Sequence, residues 1–315
     1  MTTAILAILA GLVLLAIGAE GLVRGASRIA LQLGVTPLVI GLTIVAAGTG
    51  SPEMVVSFQA AFAGSSDLAL GNIVGSNIAN VALILGLAAI VRPLQVRSAL
   101  LLREMPIMIG VTLALIAMLA DGQLGRIDGA LLSIGAVVYT IGAYRASKRD
   151  RDAAVAEEFA NELPKTTGNT ASNVIFIVGG LGALVFGATL LVDGAVVIAK
   201  SIGMSEAVIG LTIVAIGTSL PELATSVLAA WRKDADVAFG NVLGSNILNI
   251  LLVLGVVAVI QPIGAGGIRS LDLIAMAASA ILLYPLMWRG RVLSRWEGGL
   301  LLLGYVLYLA LALRA

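Results

Sequence analysis

Two short stretches of the sequence place a proline and a glutamate side by side within long apolar surroundings. They are GTGSPEMVVS at residues 48–57 and GTSLPELATS at residues 217–226, with the carboxylates Glu53 and Glu222. An ionised glutamate near the centre of a bilayer costs about 3 kcal/mol even on a lenient insertion scale, so it needs a partner or a cavity. Neither glutamate has a lysine or arginine within two helical turns. A cation or a proton is therefore the expected counter-charge.

The neighbouring residues supply further oxygen atoms. Pro52 and Pro221 have no N–H, so the carbonyl groups of Gly48 and Gly217 are expected to lack their helical donors. Irregular backbone at membrane depth is tolerated only where it is buried in protein or lines a water-filled cavity. The proline breaks and the two carboxylates are therefore predicted to belong to one site.

Polar side chains also recur every four residues, a spacing that places them on one face of a helix. The sets are Thr49, Glu53 and Ser57; Thr218, Glu222 and Ser226; Asn72, Ser76 and Asn80 in GNIVGSNIAN; and Asn241, Ser245 and Asn249 in GNVLGSNILN. Carboxylate, amide, hydroxyl and carbonyl oxygens are the ligands that Ca²⁺ prefers. A single buried asparagine or serine more often joins membrane helices than binds an ion, so the predicted site depends on the two glutamates.

The composition is that of a membrane protein. Of the 315 residues, 59% are hydrophobic and 12% charged, against about 25% charged in a soluble domain. Cysteine and histidine are absent, which excludes thiolate sites and the usual transition-metal ligand, so any cation site must be built from oxygen. We expect a lipid bilayer as the environment, no nucleic-acid partner and no obligatory protein partner.

The predicted fold is an all-α membrane protein with ten transmembrane helices. The predicted spans are 3–31, 37–62, 67–91, 104–120, 126–145, 172–200, 206–231, 237–261, 271–288 and 294–313. The polar stretch 148–171 is interpreted as a linker between two five-helix repeats, residues 1–147 and 172–315.

The two halves repeat each other without a gap. When residues 35–86 are aligned with residues 204–255, at an offset of 169, 27 of the 52 positions are identical. Because five helices is an odd number, the second repeat must enter the membrane from the opposite side. Inverted repeats of this kind place a transporter's site near the midplane.

The basic residues predict the orientation. With the N-terminus outside, fifteen of the 19 lysines and arginines lie at inside ends and loops, and only Arg126, Lys200, Arg269 and Arg314 lie outside. The positive-inside rule then puts both termini outside the cell membrane and the linker in the cytoplasm.

Three other carboxylates are predicted to have structural roles and not to bind ions. Glu20 and Arg24 are spaced for an ion pair along one helix. Asp67 and Asp236 match across the repeats and stand at helix starts, so they are predicted to be N-terminal caps.

The paired motifs resemble the two alpha-repeats of the calcium/cation antiporter superfamily, specifically the prokaryotic sodium/calcium exchangers. The resemblance implies that Ca²⁺ and Na⁺ alternately occupy a central cluster and that the first and sixth helices slide across the core. It also implies the ligands, which are Glu53, Glu222, Thr49, Thr218, Ser219, Ser76, Ser245 and Asn80 with the carbonyl groups of Ala46 and Ala215. No cofactor is expected beside the transported ions.

Two positions depart from the family pattern. Gly50 stands where the first repeat commonly has serine, and Asn249 stands where many relatives, including the potassium-dependent branch, have aspartate. Two carboxylates neutralise one Ca²⁺ or two monovalent ions, so a third Na⁺ would rest on neutral oxygens alone.

The sequence therefore predicts a secondary antiporter that exchanges Ca²⁺ for Na⁺, and not an enzyme. H⁺ is the alternative counter-ion, because protonation of both glutamates would also discharge the site. A passive cation channel is the alternative of another class, and a membrane enzyme with a carboxylate acid/base pair is a weaker one.

Overall fold

The computed structural model describes residues 2–62, 66–150, 170–201, 215–266 and 268–312. Nearly all of these residues are helical. The helices are α1 (Thr2–Leu33), α2 (Pro37–Thr49), α3 (Ser51–Phe62), α4 (Leu68–Val91), α5 (Leu100–Asp121), α6 (Arg126–Asp150), α7 (Thr170–Ser201), α8 (Ala215–Thr218), α9 (Leu220–Trp231), α10 (Ala235–Ile260), α11 (Ser270–Trp288) and α12 (Arg295–Ala312). Four two-residue strands join them, β1 (Leu94–Gln95), β2 (Gln123–Leu124), β3 (Ile263–Gly264) and β4 (Val292–Leu293).

Most predicted spans correspond to helices of sufficient length. Within the described residues, eight helices are long and apolar enough to cross a membrane, and α2 with α3 forms one more span that is bent by 47°. The predicted span 206–231 is described only from residue 215 onward, as α8 and α9, so the count of ten stays a prediction. The predicted linker lies mostly in residues 151–169, outside the described residues.

The short strands show how the two halves are oriented. β1 pairs antiparallel with β4, and β2 pairs antiparallel with β3. The loop before α5 therefore lies beside the loop after α11, and the loop after α5 lies beside the loop before α11. Since α5 and α11 are counterparts in the repeat, these two helices run in opposite directions. The predicted all-α class omitted these strands, which are too short to leave a periodic pattern.

The helices differ in how deeply they are buried. In α4 and α10, 78% of the most apolar window is buried inside the protein, against 28% in α1 and α7. Large apolar side chains cover the outer face of α1, where Leu6 and Ile17 are each 60% exposed. Such a face fits contact with lipid, so the structure places the two GSN-containing helices at the centre and α1 and α7 at the periphery.

Glycines let α1 and α7 approach each other closely. A Cβ atom added at Gly18 would lie 2.7 Å from the carbonyl oxygen of Gly180, and one added at Gly11 would lie 2.6 Å from that of Gly187. Small residues permit this backbone contact in membrane helices. The apolar side chains of α1, α7 and part of α2 form a cluster separate from the main core. The pair is therefore packed as a unit beside the central bundle.

Charged groups near the helix ends follow the sequence predictions in part. Glu20 pairs with Arg24 as predicted, and it also contacts Arg232. The prediction that Asp236 caps α10 is wrong, because Asp236 forms an ion pair with Arg97 at 2.9 Å. The cap is Asp234, whose Oδ1 accepts from the Val237 N–H at 3.2 Å. The carboxyl group of Asp234 is largely removed from solvent, and this burial raises its pKa. The side chain of Asp67 lies outside what the structure describes.

We expect Gly180→Ala to destabilise the protein and Gly179→Ala to leave it unchanged or more stable. The added methyl group at residue 180 would lie 2.7 Å from the Leu22 backbone nitrogen, whereas one at residue 179 would have no atom of another described helix within 4 Å. Overpacking costs about 1–3 kcal/mol, while alanine is favoured over glycine in a helix by about 1 kcal/mol. Thermal unfolding of both variants in detergent measures the difference. Equal melting temperatures would show that the contact between α1 and α7 can relax.

Candidate ion-binding site

Both glutamates lie in the first turn of a helix that begins at a break. The chain leaves helical geometry at Gly50, with φ −76° and ψ 5°, and at Ser219, with φ −90° and ψ 8°. Glu53 then lies in the first turn of α3 and Glu222 in the first turn of α9. The free N–H groups at a helix N-terminus favour negative charge. Each carboxylate therefore receives some stabilisation from its own helix.

Hydroxyl groups of one half contact the carboxylate of the other. Ser219 Oγ donates to Glu53 Oε1 at 3.0 Å and lies 3.5 Å from Ser76 Oγ. Thr218 also contacts Glu53 through its side chain, whereas Thr49 Oγ1 lies beside Glu222 but donates to Asn241 Oδ1 at 3.0 Å. The two breaks therefore meet, and each places oxygens beside the opposite carboxylate. Both glutamates are only 1% exposed.

Several oxygens of this cluster have no partner among the described residues. They are Glu53 Oε2, Glu222 Oε2, Asn80 Oδ1 and Ser245 Oγ. An ionised carboxylate buried in this way is very unfavourable without a counter-charge. In the described part of the chain, no three acidic side chains converge. A cation held here would therefore rest on two carboxylates and on neutral oxygens from both repeats.

Glu104 is a buried carboxylate that, unlike Glu53 and Glu222, has permanent partners within the protein. Glu104 is fully buried, and its Oε1 accepts from Arg103 Nε at 2.7 Å while its Oε2 accepts from the Tyr139 hydroxyl at 3.1 Å. Both of its oxygens are therefore occupied by the protein. Glu53 and Glu222 each keep one oxygen free instead.

Four asparagines join the central helices across the repeat. Asn77 Nδ2 donates to the backbone carbonyl of Asn246, and Asn246 Nδ2 donates to that of Asn77, each at 3.2 Å. Asn80 Nδ2 donates to Asn246 Oδ1 at 3.0 Å, and Asn249 Nδ2 donates to Asn77 Oδ1 at 3.1 Å. Each bond has a counterpart at the repeat offset. Asn77 and Asn246 are not among the residues predicted from the sequence, although their identity across the repeat could have indicated them.

The predicted polar stripes divide into two roles. Asn72 Nδ2 donates to the Glu53 carbonyl at 3.2 Å and to Ser57 Oγ at 3.1 Å. Asn241 Nδ2 likewise donates to the Glu222 carbonyl at 3.3 Å and to Ser226 Oγ at 3.0 Å. These four side chains hold α3 against α4 and α9 against α10. They fit the structural interpretation, whereas the partnerless oxygens of Asn80 and Ser245 fit a ligand role.

Two helical irregularities also start within the cluster. A π-helical segment begins at Asn80 within α4 and another at Asn249 within α10. Such segments widen the helix by one residue and frequently occur at functional sites. They fall at matching places in the two repeats, where the asparagine amides cross between the helices.

The prediction that the Gly48 carbonyl group is free is wrong. The Gly48 carbonyl lacks a helical N–H donor, but it accepts the Ser51 hydroxyl at 2.7 Å. The Ala46 carbonyl accepts the Gly50 N–H at 3.0 Å and keeps one lone pair. Ala215 is the first residue of α8, at the edge of the described residues. At the position that corresponds to Ser51, Leu220 has no hydroxyl to make the same bond.

Gly50 leaves one side of the cluster without a hydroxyl group. A Cβ atom added at Gly50 would lie 3.0 Å from the Ala46 carbonyl oxygen, which is a tight contact, and at the ordinary distances of 3.6 Å from Glu222 Oε1 and 3.7 Å from Asn249 Oδ1. Its counterpart Ser219 donates to Glu53, so Glu222 lacks the equivalent donor. Asn249 is 3% exposed and lies within this cluster. The two departures from the family pattern are therefore neighbours.

A comparison with protein families decides the affiliation of the chain. The family model described as "Sodium/calcium exchanger protein" matches residues 3–145 and again residues 172–314. The chain belongs to the sodium/calcium exchanger family. The two matched segments are separated by the same 169-residue offset as the repeat in the sequence. This confirms the resemblance to the prokaryotic exchangers.

Relatives of this exchanger family cover the whole chain. The inner membrane protein YrbG of Escherichia coli K12 is 39% identical over 322 residues, with 99% of this chain and 96% of the relative covered. The sodium/calcium exchanger MaX1 of Methanosarcina acetivorans is 31% identical over 343 residues, with 98% of each covered. A solved structure of the sodium-calcium exchanger NCX_Mj, soaked with zero Na⁺ and Ca²⁺, has a TM-score of 0.84 at 32% identity and 98% coverage of both chains.

We expect Gly50→Ser to strengthen Na⁺ binding in this exchanger. The added hydroxyl would lie beside Glu222 and Asn249, and one further oxygen contact is worth about 1 kcal/mol, or about fivefold in affinity. The Na⁺ concentration that displaces half of the bound ⁴⁵Ca²⁺ from the purified protein should fall accordingly. Gly50→Ala is the matched control, since it adds the same Cβ without oxygen. Identical displacement curves for the two variants would contradict a ligand role for the hydroxyl.

Proposed function

We propose that this protein is a secondary antiporter that exchanges Ca²⁺ for Na⁺ at a site built on Glu53 and Glu222. The observation that carries the proposal is a pair of buried carboxylates from corresponding positions, each with one partnerless oxygen and no basic partner among the described residues. The other proposed ligands are Thr49, Thr218, Ser219, Ser76, Ser245, Asn80, Asn249 and the carbonyl groups of Ala46 and Ala215. The family membership supports the choice of ions.

The charge of the site explains why the ions exclude each other. Two ionised carboxylates give a charge of −2, which one Ca²⁺ or two Na⁺ would neutralise. If Ca²⁺ and Na⁺ occupied the site together, they would leave an excess positive charge in a region of low dielectric, where such charge is strongly unfavourable. Ca²⁺ and Na⁺ therefore compete for the same oxygens, as exchange requires.

Several features favour alternating access over a passive channel. The two carboxylates are 1% exposed, so they are sealed from solvent, whereas an open pore would keep them hydrated. The helix pair α1 and α7 has its own apolar cluster beside the core. We infer that this pair slides across the central helices and exposes the site to each side in turn.

We also infer ten helices in two inverted repeats, with both termini outside and the linker in the cytoplasm. The pairing of β1 with β4 brings the loops that carry Arg92, Arg97 and Arg291 to the same end of the molecule. The pairing of β2 with β3 does the same for the loops with Arg126 and Arg269 at the other end. The end with more basic residues fits the cytoplasmic side.

Ion fluxes in reconstituted vesicles test the proposal. Vesicles loaded with Na⁺ should take up ⁴⁵Ca²⁺ when diluted into Na⁺-free medium, and an imposed pH gradient alone should not drive uptake. Uptake that follows the pH gradient and ignores Na⁺ would establish H⁺ as the counter-ion. Conduction of Ca²⁺ without any counter-ion would establish a channel. An imposed membrane potential contributes about 2.3 kcal/mol per net charge per 100 mV, so its effect on uptake reports the stoichiometry.

Glu53→Gln and Glu222→Gln should each abolish Ca²⁺ transport and Ca²⁺-dependent thermal stabilisation. The amide has nearly the same volume as the carboxylate but carries no charge, so the protein should remain folded. Glu104→Gln is the matched control, because it changes a buried glutamate whose oxygens are already occupied by Arg103 and Tyr139. It should lower the melting temperature and retain the stabilisation by Ca²⁺. Stabilisation that persists in both site variants would remove these glutamates from the site.

Asn249→Asp should alter the affinity for Ca²⁺ or the dependence on the counter-ion. The change adds a third negative charge to a cluster that already holds two, and it removes the donor that Asn249 supplies to Asn77 Oδ1. We expect tighter Ca²⁺ binding and a larger Na⁺ requirement for its release, measured as ⁴⁵Ca²⁺ efflux against external Na⁺. Unchanged kinetics would show that this position does not contact the ions.

A further inference from the structure

A cavity of about 600 Å³ lies where four helix ends meet, away from the proposed ion site. Its walls come from the end of α4 and the following residues 92–95, from the end of α9, from Lys233 and the start of α10, and from the start of α12. Its volume falls in the range of small-molecule sites, which is about 300–1,000 Å³. Because several membrane-spanning helices end here, the cavity opens at the edge of the bilayer.

Three basic side chains line this cavity, those of Arg92, Lys233 and Arg295, and no acidic residue does. None of the ion pairs among the described residues includes any of the three. Arg295 is fixed in place because its Nε donates to the Ile90 carbonyl at 3.0 Å. Three cations gathered without a counter-charge repel one another, so an anion would stabilise this arrangement.

The surroundings of the cavity favour a lipid as the source of the anion. Trp231 and Trp296, which neighbour the lining residues in sequence, are 72% and 75% exposed. Exposed tryptophans are typical of the level of lipid headgroups. Ile90 and Val91 are exposed on the same helix end. An occupant with a phosphate and acyl chains would meet both the basic and the apolar groups, whereas a soluble phosphate would meet only the basic ones.

We propose that Arg92, Lys233 and Arg295 bind the phosphate of an anionic phospholipid headgroup. Basic pockets between membrane helices are known to bind such headgroups, and juxtamembrane lysines and arginines attract anionic lipids. The site requires only that the chain is embedded in a membrane. It therefore stands or falls independently of the proposed ion exchange.

Quenching of tryptophan fluorescence by brominated lipids tests this site. The Trp288→Phe variant keeps only Trp231 and Trp296, which neighbour the cavity in sequence. In mixed micelles, brominated phosphatidylglycerol should quench them at about tenfold lower concentration than brominated phosphatidylcholine. Adding Arg92→Gln and Lys233→Gln should reduce this preference to about twofold, because only the fixed Arg295 is retained.

Controls separate this site from general attraction and from soluble anions. Arg289→Gln removes an exposed charge outside the cavity and should keep the preference, as should the charge-conserving pair Arg92→Lys and Lys233→Arg. Thermal unfolding of each variant in detergent checks that it is folded. The proposal is overturned if Arg289→Gln abolishes the preference equally, if neither lipid is preferred, or if inorganic phosphate at millimolar concentration displaces brominated phosphatidylglycerol completely.

Discussion

The structure depends on two buried carboxylates that share one region and have no permanent positive partner among the described residues. The break before Glu222 supplies the Ser219 hydroxyl to Glu53, and the break before Glu53 lies beside Glu222, so the two like charges share a low-dielectric site that disfavours their joint ionisation. Glu104 shows that this chain can satisfy a buried carboxylate with its own side chains. At the central site it does not do so. In the proposed exchange, an entering cation would complete the electrostatics, and its departure would be compensated by another cation or by protons.

The remainder of the centre is held together without charge. An asparagine amide is both donor and acceptor, so Asn77 and Asn246 can join two backbones in both directions and still accept from Asn249 and Asn80. Neutral bonds of this kind do not change strength when the charge of the site changes between Ca²⁺, Na⁺ and the empty form. In the proposed mechanism, the central helices α4 and α10 would therefore stay fixed while α1 and α7 move at the periphery.

The sequence predicted the features that repeat with a fixed period or a fixed offset. Spans of apolar residues located the helices, and the 169-residue offset located Glu53 and Glu222 at matching positions. Features that depend on a single distant or irregular contact were missed. Nothing in the local sequence indicates that Ser51 satisfies the Gly48 carbonyl or that Asp236 pairs with Arg97 across the fold. The positions of the proposed ligands around an ion stay predictions.

Some contacts of α1 have no equivalent in its repeat counterpart α7, and this difference bears on the energies of the proposed transport states. If the two inverted halves were identical, exchanging their conformations would convert the outward-facing state into an inward-facing state of equal energy. In this chain Ser27 Oγ donates to Asp234 Oδ2 at 3.0 Å and Glu20 contacts Arg232. The corresponding positions in α7 are Val196, which has no hydroxyl group to donate, and Thr189, which has no charge to pair with arginine. These bonds join α1 to the loop before α10 and have no chemical equivalent at the matching positions of α7, so the two end states of the proposed cycle would differ in energy.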